Sequence, residues 1–126
     1  VRKDLTDEWE IRGVKKGQEF AILTDEITKA WSGLSVKEYK NLKELKKENL
    51  RDNMTNTELI LNMLAEASTK DISQATNPKT FDESKQVAEQ GGSVAKVARL
   101  ALEAKTGKKV VSELNAKKVL KELKNG

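Results

Sequence analysis

Five cations stand at helical intervals in the first half of this chain: Lys37, Lys40, Lys43, Lys47 and Arg51. Steps of three and four residues put side chains on one side of a helix, so such a row can lie along a phosphate backbone. A second cationic set closes the chain. Lys96, Arg99, Lys108, Lys109, Lys117, Lys118 and Lys121 belong to a stretch, 96–124, that holds nine Lys/Arg against three Asp/Glu, a local balance of +6. It can track phosphates without reading sequence. No aromatic residue is interleaved to stack bases, so a solubilising end is the equal alternative.

Other chemistry is sparse. Cysteine and histidine are both absent. That excludes thiol nucleophiles, disulfides, the usual zinc sites and a Ser-His-Asp triad. Glu44 and Glu48 are four apart, the spacing of an acid pair, but they stand among lysines and read as solvated ion-pair partners. Gly91-Gly92-Ser93 has neither a preceding strand nor a Gly-Lys-Ser/Thr pattern, so it fails as a phosphate loop. The expectation is a non-enzymatic protein with no cofactor, no metal and no small-molecule substrate.

The chain has 126 residues, which suits one domain, with 37% hydrophobic and 35% charged residues. Its core must come from narrow stripes. The net charge is +4. Residues 1–63 carry 12 Lys/Arg and 12 Asp/Glu, and residues 64–126 carry 12 and 8, so the excess lies in the second half. An anionic partner such as nucleic acid fits that excess, as does a merely soluble, lysine-rich surface. No apolar run reaches transmembrane length. Val1-Arg2-Lys3-Asp4 leads into polar sequence, unlike a signal peptide. The expectation is a cytoplasmic protein with no membrane partner. A first residue that is valine suggests a piece of a longer protein.

The elements that position these residues are helical. Leu5 and Trp9 share a face in a first segment, roughly 3–12, that Gly13 stops. Phe20, Leu23, Ile27 and Trp31 form one stripe in a second segment, roughly 18–31. Ser35 with Glu38 is a capping box that opens a third helix, roughly 36–47, with Val36, Tyr39, Leu42 and Leu45 inward. Thr55 with Glu58 is a second box. It opens a fourth helix whose broad apolar face, Leu59, Ile60, Met63, Leu64 and Ala67, predicts burial on two sides at the centre of a bundle. Asn77-Pro78 marks a loop. Thr80 with Glu83 opens a fifth segment, roughly 81–105, which Gly91-Gly92 should weaken or kink. Asn115 is a candidate cap for a sixth helix with Val119, Leu120 and Leu123 inward. Strand signals amount to the β-branched pair Val110-Val111. The fold class is therefore all-α: a single small bundle of about six helices, with a glycine-pair interruption in the fifth. The tryptophans and phenylalanines concentrate the core in the first half.

Two arrangements of these elements bear on function. The second and third segments, joined at Ser32-Gly33-Leu34-Ser35, have the layout of a helix-turn-helix with Lys37, Lys40, Lys43 and Lys47 toward phosphate. Only Asn41 among them suits base reading, and Glu38, Glu44 and Glu48 dilute the field. Separately, Val94, Ala95, Ala98, Ala101 and Leu102 form a small apolar face. It suits a partner helix or a second copy in a homodimer, or packing on the chain's own fourth helix.

The run from Gly13 to Ile72, GVKKGQEFAILTDEITKAWSGLSVKEYKNLKELKKENLRDNMTNTELILNMLAEASTKDI, resembles the C-terminal region of the family of DNA-damage-inducible protein D and related prophage antirepressors. The most telling pieces are Gly17 to Ile22, Trp31-Ser32-Gly33 with Tyr39, and Leu50 to Thr69. Gly91 to Ser112 is similar to the family's glycine pair and small-residue helix. The resemblance covers nearly the whole chain and contains no catalytic signature. It implies a bacterial or prophage protein of the SOS response, or of release from phage repression, that acts in transcription regulation on DNA or a DNA-bound protein. In that family a BRO-type domain precedes this region. Its absence here implies that residues 1–126 are one helical domain, the C-terminal part of a longer protein. The alternative is an oligomerisation or partner-binding module with no nucleic-acid contact.

Overall fold

A computed structural model describes residues 1–116. Five α-helices account for most of them: α1 (Arg2–Ile11), α2 (Gln18–Ser32), α3 (Val36–Leu42), α4 (Asn56–Thr76) and α5 (Phe81–Thr106), with a 3-10 turn at Arg51–Asn53. No strand occurs among the described residues. α5 packs most extensively on α2 and α4, α1 leans on α4, and α3 touches α2 lightly.

α1 and α2 follow their apolar spacing. Leu5, Trp9, Leu23, Ile27 and Trp31 are all buried, and Phe20 packs against them. Gly33 ends α2 in the left-handed region, at φ 84°. Ser35 and Glu38 then close a reciprocal capping box. α3 is shorter than expected, ending at Leu42 rather than near Lys47. Glu44 takes φ 60°, and the amides of Glu44 and Leu45 bond back to the carbonyls of Asn41 and Lys40. That pattern is a Schellman stop built without glycine. It turns Leu45 into the core but leaves Leu42 39% exposed.

α4 opens on the expected Thr55–Glu58 box. Its buried face is another matter. Ile60 is 65% exposed and Leu64 38%, while Glu58, Leu61, Asn62, Ala65, Glu66, Thr69 and Ser73 turn inward. The helix is central, against α1, α2 and α5, but the expected Ile60–Leu64 stripe faces out. The polar face wins because each of its longer side chains meets a partner inside. Asn62, for instance, accepts from the indole Nε1 of Trp31 at 3.2 Å.

α5 runs unbroken for 26 residues, against the expected interruption. Its N-cap is half a box: Thr80 accepts from the Glu83 amide, but the Glu83 carboxylate takes the Lys79 amide instead. Gly91 and Gly92 are buried where α5 crosses its neighbours. A Cβ at Gly91 would lie 1.9 Å from Thr69 Oγ1 and 2.6 Å from its Cα, and one at Gly92 would lie 2.4 Å from Ala30 Cβ. The glycines allow close approach, and tertiary packing offsets their poor helix propensity. Beyond Gly107 the chain returns as a strap over α3 and α4, with Val110 and Val111 on the core. The expected sixth helix lies outside the described residues. Asn115, its candidate cap, is buried and donates Nδ2 to the Lys43 carbonyl at 2.8 Å.

Candidate interaction surface

The cationic row breaks into an inner and an outer part. Lys43 is the inner part. Its side chain is fully enclosed, its ammonium 2.7 Å from Glu58 Oε1 and also donating to the Leu114 carbonyl. Glu58 gathers further donors: the Thr55 amide, the Tyr39 hydroxyl and the Ser112 amide. Burial, then the Glu58 bond and charge, push the Tyr39 phenol well above its usual range, so it stays protonated as a donor. Placing Lys43 on an exposed phosphate-facing row is therefore corrected. An enclosed ammonium that already has a carboxylate and a carbonyl cannot reach a phosphate outside.

A second carboxylate works at the surface of the core. Glu66 takes Arg51 at 2.7 Å through one oxygen and Arg2 at 3.3 Å through the other. Arg2 also donates to Thr24 at 2.7 Å and lies 5.2 Å from the Trp9 ring centroid. It thereby joins α1, α2 and α4. A third, Glu8, receives Arg12 at 2.7 Å and Ser73 at 2.6 Å.

The outer cations border a groove between α2 and α3. Its cavity volume is about 1080 Å³, with Phe20, Ala21, Val36 and Leu45 as the apolar floor. Arg2, Lys37, Lys40 and Lys46 line it with one carboxylate, Asp25. That carboxylate is engaged, accepting the Val36 amide at 2.8 Å and pairing with Lys29 at 3.5 Å. Among the described residues, Lys37, Lys40 and Lys46 take part in no ion pair. A smaller cavity of about 310 Å³ adjoins, sharing Arg2, Thr24, Val36 and Lys40 and reaching Arg51.

Of the first expected row, the structure brings Lys37 and Lys40 to the groove and Arg51 to its neighbour. Lys47 is exposed and lines neither cavity. Arg2 and Lys46 were not expected there. Arg2 arrives through tertiary packing, which no local pattern records. Lys46 arrives because α3 stops at Leu42 and the chain turns at Glu44. Of the second row, Lys96, Lys108 and Lys109 are exposed. Arg99 is a structural tie, its Nε 2.7 Å from the Trp31 carbonyl at the end of α2 and its Nη1 3.0 Å from Glu103. Lys117, Lys118 and Lys121 lie outside the described residues. The small-residue face of α5 divides. Ala95 is buried and Ala98 packs on the core, while Val94, Val97, Leu100 and Leu102 are 37–69% exposed.

No group of three or more acidic residues among those described could hold a metal ion, and no described helix is long and apolar enough to cross a membrane. Fold and surface together define an all-α domain with polar groups ion-paired inside and a cation-lined groove outside. The family model of the DinD C-terminal domain matches residues 1–122, and the chain belongs to that family. No curated protein and no solved structure matches it.

Proposed function

We propose that this DNA-damage-inducible protein D-like domain is a non-enzymatic regulatory module of the SOS response or of prophage antirepression, acting on DNA or on a DNA-bound protein. The observation that carries the reading is the set Lys37, Lys40 and Lys46, which take part in no ion pair among the described residues, beside the α2–α3 groove. Membership of the DinD C-terminal family supports it, and so does the net charge of +4. The helix-turn-helix form of the idea is weakened. α3 is seven residues long, and one of its four expected cations is enclosed.

Fluorescence anisotropy of the full chain with a labelled duplex, bare or coated with a DNA-binding protein, tests the reading. Binding should weaken steeply between about 50 and 200 mM salt, and Lys37→Glu with Lys40→Glu should lower the salt slope by about 2. No binding to bare or coated DNA at low salt would end the reading. The exposed Val94, Val97 and Leu100 on α5 favour a second one, a homodimerisation module. A strict monomer in sedimentation at high protein concentration would exclude that.

A further inference from the structure

We infer that the α2–α3 groove docks an acidic, amphipathic segment of a partner protein. The inference rests on the groove being the working surface proposed above, and it names the chemical class of the partner.

Three features of the groove select this occupant. The first is the pairing of an apolar floor with a basic rim. Phe20, Ala21 and Val36 offer hydrophobic contact, while the ammonium groups of Lys37, Lys40 and Lys46 stand beside them in no ion pair among the described residues; Glu48 takes only the Lys46 backbone amide, at 3.0 Å. A segment with apolar residues on one side and Asp/Glu on the other satisfies both sets at once, the helix-in-groove mode of recognition. A phosphate backbone uses the rim and gains nothing from the floor.

The second feature is the state of the aromatic ring. Phe20 already packs against Trp9, ring centroids 5.3 Å apart and tilted by 59°. It is the one aromatic side chain among the described residues lining the groove, so it cannot supply the successive base stacks that single-stranded nucleic acid uses. The third is size and shape. The groove's volume of about 1080 Å³ lies just above the roughly 300–1,000 Å³ of small-ligand pockets. It suits a few turns of peptide. The single acid of the groove, Asp25, is held by the Val36 amide and Lys29, so it does not oppose an incoming carboxylate freely.

The test is a titration of the isotopically labelled 126-residue chain, read by amide NMR shifts, with three synthetic peptides and a duplex. The first peptide is an amphipathic helix former with Leu at i, i+3, i+4 and i+7 and Glu elsewhere. The second has the same composition in scrambled order, and the third replaces Glu by Lys. The expected result is that the first alone shifts resonances of α2 and α3. Lys37→Glu with Lys40→Glu should weaken it about tenfold, and Ala21→Trp, which fills the floor with the charges intact, should weaken it as much. These positions are exposed or half-exposed, and circular dichroism checks that the fold is kept. Equal binding of the scrambled peptide, shifts confined to other helices, or no peptide binding overturns the inference. Shifts in the groove from a 20-bp duplex alone also overturn it, while leaving the broader proposal of DNA action standing. Peptide binding without any DNA binding supports the inference and moves that action to DNA-bound protein.

Discussion

Lys43 shows how little a side chain's type says about its role. Its neighbours Lys37 and Lys40 remain outside, yet Lys43 is enclosed with Glu58. An enclosed ion pair recovers its desolvation cost only when further hydrogen bonds complete it, and here Tyr39, Thr55, Ser112 and Leu114 do so. Removing one member leaves the other charge stranded. Glu58→Gln and Lys43→Met should each cost about 3–5 kcal/mol in urea denaturation. The double variant should cost clearly less than the sum, because the two single losses share one interaction. Simple additivity would mean that the two charges are not coupled. Residue-scale legibility follows the distance to the partner. The Ser35–Glu38 and Thr55–Glu58 boxes were readable because each partner sits three residues away. The pairing of Lys43 with Glu58 was not, because the residues lie 15 apart on different elements.

At the scale of the element, the starts of helices were more legible than their ends and faces. α1, α2, α4 and α5 begin within a residue or two of where caps and apolar spacing put them. α3 ends early because Glu44 enters the left-handed region without the glycine that usually announces such a stop. α4 shows its polar face inward, and hydrophobic periodicity misjudges a helix whose buried positions include Glu58, Asn62, Glu66, Thr69 and Ser73. The glycine pair does not interrupt α5, which is continuous from Phe81 to Thr106; its glycines allow a close helix crossing. Gly91→Ala should therefore destabilise despite the better helix propensity of alanine. The new Cβ meets backbone and side chain of Thr69, and overpacking of this kind costs about 1–3 kcal/mol. Thermal unfolding would check it, and a stabilised Gly91→Ala protein would contradict the packing account.

At the scale of the whole molecule, the fold class and the presence of a cationic surface were legible, but its composition was not. The groove depends on Arg2 from the start of the chain meeting Lys46 from a turn, a product of tertiary packing. The strap that closes the molecule carries its own pH signature. Glu103 accepts the Val110 amide at 2.9 Å and pairs with Arg99, and these hold its carboxyl below the ordinary value of 4.5. Glu38, bonded to the amide and hydroxyl of Ser35, is lowered in the same direction. A depressed folded-state value means stability that is present above the ordinary value and lost as pH falls through the lowered one. Stability should thus decline on acidification below about pH 4.5, and less steeply in Glu103→Gln. Chemical denaturation across that range measures both slopes; identical slopes would remove Glu103 from the account.

The bonds completing the Glu58 centre come late in the chain: Ser112 is 54 residues from Glu58, and Leu114 is 71 from Lys43. A ribosome releases α3 and α4 long before it releases the strap. Nascent chains carrying both charges must therefore wait, hydrated and half-satisfied, until residue 114 emerges. Completion of the interior is coupled to emergence of the strap, so the growing polypeptide has a built-in interval during which the Glu58 end of its central helix remains open to water.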